Sequence, residues 1–186
     1  MSKRVAWKRR LARALGRPEK LAVLGVGNVG KGDDAAGVRA AEALLRLTGA
    51  GTPRSASARP RLEVFVAHDV PENFTGPVRR SGASVALIID AASGGHRPGT
   101  VFLVDPAAIP AEDVSSHRTP LAALAAYLER TAGCRVVILG IEPRGFIEGS
   151  ALSGPVRAAA AEVAGWLDSF SGGRVRSSSA SGRRCS

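Results

Sequence analysis

A chain of 186 residues can bury the core of one domain and still have residues to spare for tails, and its apolar fraction of 45% excludes disorder throughout. Its net charge of +10 would point to nucleic acid or an anionic membrane if it were spread evenly, but it is concentrated at the ends. Residues 1–20 carry eight Lys or Arg against one Glu, and 171–186 carry four Arg and no acid, whereas residues 21–170 hold 14 basic and 15 acidic side chains. The chain therefore divides into a basic N-terminal extension (1–20), one nearly neutral domain (21–170) and a low-complexity basic tail (171–186), and nucleic acid is not the expected partner.

The opening segment, MSKRVAWKRRLARALGRPEK, has no apolar core of the length a secretory signal needs before Pro18. Trp7, Leu11, Ala14 and Leu15 could line one face of a short basic helix, and a solvated extension is the simpler reading. No stretch approaches the roughly 20 apolar residues of a membrane span. Cys134 and Cys185 lie far apart and form neither a disulfide framework nor a zinc spacing, so a reducing, cytoplasmic compartment suits the chain and Cys134 reads as a small buried residue.

Leu21 to Val26 is a short apolar run closed by glycine, and Ala36, Ala40, Leu44 and Leu47 recur at helical spacing, which predicts strand, tight loop and helix. Gly49 to Arg61 is a flexible connection rich in Gly, Pro, Ser and Ala. Leu62 to Ala67 predicts a second strand, VPENFTGPVRRS a loop with a short helix, and Ala83 to Asp90 the most apolar, hence central, strand. Thr100 to Val104 follows after about ten residues without a helix, which favours antiparallel pairing. Thr119 and Pro120 then open a helix with Leu121, Leu124, Ala125 and Leu128 inward, and Arg135 to Ile141 is the last strand. Ser153 and Pro155 start a final helix whose Val156, Ala159, Val163 and Leu167 face the core. The alternation predicts an α/β domain with three α/β/α layers around a mostly parallel, mixed five-stranded sheet.

In a parallel sheet the chemistry gathers at the carboxyl edge, so the loop after the first strand is the place to look. Gly25, Gly27 and Gly30 spell a literal G-x-G-x-x-G in a strand-to-helix context, which keeps a nucleotide-binding, Rossmann-like enzyme as the alternative reading. Against it, Asp33 and Asp34 stand at the helix start, where a pyrophosphate would need free amides, and Lys31-Gly32 is not the Gly-Lys-Ser/Thr of a phosphate loop. Helix capping is the expected role of Asp33. Asp34, by contrast, could meet Asp90, at the end of the central strand, and His117, which follows a strand across a loop. Two carboxylates and an imidazole suit a divalent transition metal such as nickel or zinc. His68 and His96 are weaker candidates, and His96 sits in a turn, GGHRPG.

The order GVGN (Gly25 to Asn28), GDDAAG, IIDAAS, SSHRTPL and ILGIEP resembles that of the endopeptidases that mature nickel-iron hydrogenases, over roughly Leu21 to Leu167. The resemblance implies a peptide-bond hydrolase that removes the C-terminal extension of the hydrogenase large-subunit precursor after nickel insertion. It implies that Asp34, Asp90 and His117 contact a nickel ion supplied by the precursor, with no organic cofactor and no catalytic side chain assigned. The expected partner is that precursor, met by a monomer. Ala35 stands where the family usually has a glycine, and the connection from Gly49 to Arg61 is long.

Overall fold

The computed structural model describes residues 3–49, 60–105 and 121–172. Five strands, β1 (Lys20–Val26), β2 (Arg61–His68), β3 (Val85–Ala91), β4 (Val101–Val104) and β5 (Arg135–Ile141), form one sheet in the order β2-β1-β3-β5-β4. The first four strands of that order are parallel, and β4 runs antiparallel on β5 at the edge. The helix-free connection before β4 thus reverses the chain as expected, although β4 lands on β5 and not on β3. The centre of the sheet is full, since β3 is flanked by β1 and β5 and every one of its residues is buried.

Alternation along the strands divides the core in two. Leu21, Val23, Val85, Leu87 and Ile89 face α1 (Lys3–Leu15), α2 (Ala36–Gly49) and α5 (Gly154–Phe170). Ala22, Leu24, Ala86 and Ile88 face α3 (Thr75–Ser81) and α4 (Leu121–Ala132). The inward residues predicted for α4 and α5 are all buried, and Leu47 packs at the margin of the α2 side. This is the three-layer, mixed five-stranded arrangement the sequence predicts.

Helix α1 departs from the expectation of a solvated extension. Trp7, Leu11 and Leu15 are buried on the α2–α5 side of the sheet. The Trp7 ring meets Trp166 edge-on at 5.8 Å, Lys8 pairs with Glu162 at 2.7 Å, and the Arg135 guanidinium donates to the carbonyls of Ala14 and Leu15. The apolar stripe that suggested surface attachment is therefore core surface, leaving Arg9, Arg10 and Arg13 outside. The physical reason lies in α5, whose Trp166 and Phe170 stack at 4.9 Å and supply the apolar partner.

Candidate functional site

Strands β1, β2, β3 and β5 all end on one edge of the sheet, and the site is built from the loops that leave it. The loop after β1 turns back at Gly27, whose φ of +132° is open only to glycine, and a Cβ there would overlap the Asp34 carbonyl. A 3-10 turn over Gly32–Ala35 then leads into α2 and packs against β3. Gly37 lets the start of α2 sit directly on the sheet, since a Cβ there would strike the carbonyl oxygens of Ile89 and Val26. Ala35 is buried in the turn and runs into the helix, so the missing family glycine leaves this path intact.

The two adjacent aspartates go opposite ways. Asp33 is only 2% exposed, and its carboxylate does not cap α2. Instead, Oδ2 accepts from the Arg144 amide at 2.8 Å and the Ser153 hydroxyl at 2.8 Å, while Oδ1 accepts from the Ser153 amide at 2.6 Å. Asp33 thereby ties the loop between β5 and α5 to the loop after β1. Ser153 is the N-cap residue of α5, and because its hydroxyl reaches Asp33 it makes no side-chain cap of its own. Asp34 is half-buried and accepts from the Asn28 amide at 3.0 Å through Oδ2.

Asp90 lies at the end of β3, 2% exposed, and its Oδ1 accepts from the Ala91 amide at 2.8 Å. By strand alternation it shares the face of Ala86 and Ile88, the side covered by α4. The turn carrying Asp34 packs against Asp90's own strand, so both carboxylates belong to the same edge. His117 lies outside the described residues. Among those described, no three His, Cys, Asp or Glu side chains stand close enough to share a metal ion.

The other sequence candidates find simpler places. His68 ends β2 with φ +52°, and its carbonyl accepts from the Gly27 amide at 2.9 Å, so its part in this loop is played by the backbone. His96 is exposed and sits edge-on to Phe102 at 4.8 Å. Cys134 is buried, and burial pushes its thiol above the ordinary range, the opposite of what activates a nucleophilic thiol.

Two residues on this edge carry more of the geometry than their sequence positions suggest. Asn28 accepts from the Gly30 amide at 2.8 Å and donates to Asp69 at 3.3 Å, joining the loops after β1 and β2. Glu142, just past β5, is buried and accepts from the Gly94 amide at 2.8 Å, which fixes the loop after β3. A strand-end carboxylate in GIEP is the same kind of signal that singles out Asp90, and Glu142 could have been found by it.

The loop's hydrogen bonds also decide the nucleotide alternative. The amides of Gly27, Asn28, Gly30, Lys31 and Asp34 donate respectively to His68, Asp34, Asn28, Asn28 again and Lys31. These five amides, committed to the loop itself and to β2, are not available to a phosphate. Gly25 serves packing, because a Cβ there would meet the Gly37 carbonyl and Ala41.

The site is thus an acidic edge: an α/β/α domain that gathers Asp33, Asp34, Asp90 and Glu142 at the carboxyl ends of the parallel strands of a mixed sheet. A sequence profile described as HycI, hydrogenase maturation protease, matches residues 55–167, which takes in Asp90 and His117 and leaves out the loop after β1. A Methanocaldococcus jannaschii protein named as a hydrogenase maturation protease is 31% identical over 126 residues, covering 68% of this chain and 73% of its own. The chain belongs to the hydrogenase maturation protease family, and it is an endopeptidase of that family. Among solved structures, an Escherichia coli endopeptidase HycI is 29% identical with a TM-score of 0.63, covering 83% of this chain and 92% of its own. The fold is also that of a [NiFe] hydrogenase maturation protease HycI from Thermococcus kodakarensis, at a TM-score of 0.75 and 24% identity, over 87% of this chain and 97% of that one.

Proposed function

We propose that this endopeptidase removes the C-terminal extension of a nickel-iron hydrogenase large-subunit precursor after nickel insertion, and that Asp34, Asp90 and His117 contact the nickel the precursor carries. In this reading it acts as a cytoplasmic monomer with no cofactor of its own, the nickel being substrate cargo. The observation that carries the proposal is the placement of Asp34 and Asp90 on one edge of the sheet, in a family of hydrogenase maturation proteases. His117 enters the proposal through its place in the SSHRTPL motif, which the family resemblance picks out.

Carboxylates and an imidazole contributed by separate stretches of the chain make a donor set for a borderline divalent ion that stays incomplete without the substrate's own ligands. Such a set senses metal loading: a precursor without nickel offers the carboxylates no cation, and binding loses its electrostatic anchor. The test is cleavage of nickel-loaded and nickel-free precursor by the purified chain. The loaded form is expected to be cut and the empty form left intact, with Asp34→Ala at least about 100-fold slower on the loaded form, on the order of 3 kcal/mol of transition-state stabilisation. Equal cleavage of both precursors, or an Asp34→Ala variant as fast as the parent, defeats the proposal.

A further inference from the structure

The loop between β5 and α5 combines firm anchoring with exposed apolar side chains. Asp33 holds it at Arg144 and at Ser153, and the Gly149 amide donates to the Gly30 carbonyl at 2.8 Å. Ser150 closes its tip, donating through its amide (3.2 Å) and hydroxyl (2.7 Å) to the Ile147 carbonyl. Yet Phe146 is 45% exposed, and Ile147, at 68%, is the most exposed large apolar side chain among the described residues. A loop free to rearrange would fold such a pair inward. A pinned loop holds it out.

The pair continues around the candidate site. Exposed Val29 lies between Asn28, whose amide holds Asp34, and Gly30, which is bonded to Gly149. Exposed Val70 follows Asp69, the partner of Asn28. Four of the six exposed large apolar residues among those described thus border this one edge, while Leu45 and Tyr127 stand on α2 and α4. Apolar surface gathered beside polar chemistry marks a binding site, and surface fixed before binding spares the partner an ordering cost.

We propose that Phe146 and Ile147, with Val29 and Val70, form the docking platform for the apolar polypeptide segment of the precursor that flanks the bond to be cut. The proposal rests on the function argued above. An endopeptidase must hold the chain on both sides of the scissile bond, and the loop that carries Phe146 and Ile147 is hydrogen-bonded, through Gly149 and Gly30, to the loop that positions Asp34. Asp33 anchors the platform, because its carboxylate ties Arg144 and Ser153 to the turn that bears Asp34.

The experiment measures both affinity for nickel-loaded precursor and steady-state cleavage, using the full chain. The double variant Phe146→Ser/Ile147→Ser, exposed and therefore expected to fold, should weaken Kd and raise KM by about tenfold or more while kcat stays within about twofold. The control Leu45→Ser/Tyr127→Ser should change neither. Unchanged Kd and KM in the first variant, or an equal loss in the control, overturns the platform. Sedimentation gives the competing occupant: self-association of the parent chain that the first variant abolishes would make the platform a contact between copies and overturn precursor docking. Parent protein that fails to bind the loaded precursor overturns docking as well. Binding without cleavage defeats only the function proposed above, and the platform is then judged by Kd alone.

Discussion

Two stretches of this chain are conspicuous for charge, and the structure uses them in opposite ways. Helix α1 carries a run of Lys and Arg, yet what fixes it is its apolar stripe: Trp7, Leu11 and Leu15 are buried, while Arg9, Arg10 and Arg13 face outward. The Asp33–Asp34 pair carries only two charges, and one of them is the latch between the loops after β1 and β5. The comparison teaches that the number of charges is a poor guide to their importance. What matters is whether a charge can remain in water or must be satisfied by the protein.

Asp33→Ala probes the buried side of this comparison and should have the largest effect. It removes one charged acceptor group serving two backbone amides and a hydroxyl, all three bonds partly buried, at a cost of about 4 kcal/mol in urea unfolding. Asp33→Asn keeps the shape and one carbonyl oxygen and should recover part of that loss. A variant as stable as the parent would show that the latch holds little. Leu11→Ala comes next: truncating a fully buried side chain beneath α1 should cost about 3 kcal/mol by the same measurement. A negligible loss would return α1 to the solvated extension that its composition suggests. The triple variant Arg9→Gln/Arg10→Gln/Arg13→Gln should have the smallest effect, within about 0.5 kcal/mol per site and with unchanged cleavage of nickel-loaded precursor. A strong effect of this variant would reverse the comparison and give the basic face a role in the reaction.

Much of the fold is legible without coordinates, because it rests on local periodicity. Apolar runs of strand length and the spacing of Ala36, Ala40 and Leu44, or of Val156, Ala159 and Val163, are properties of neighbouring residues, and all of these are buried as expected. The lack of a helix before β4 likewise indicates an antiparallel edge. The motif order, read as a whole, leads to the family that the sequence profile shows. The G-x-G-x-x-G spacing does not say whether the loop's amides are free, and here five of them are used by the loop itself or by β2.

What stayed hidden depends on partners distant in the chain. Asp33 and Asp34 are adjacent, identical in chemistry and placed in the same short turn, so helix capping was a fair expectation for the first of them. The positions of Arg144 and Ser153, 111 and 120 residues away, turn Asp33 into a cross-link. The same holds for α1, which reads as a solvated extension, or as a surface-attached basic helix, until Trp166 is seen opposite Trp7. The sequence by itself determined the elements, their order and the family, because those follow from periodicities and motifs carried by near neighbours. Only the tertiary structure decided which aspartate ties the loops after β1 and β5 together, which face of α1 is core and which apolar pair stays exposed beside the site, because each of these is settled by groups that folding alone brings together.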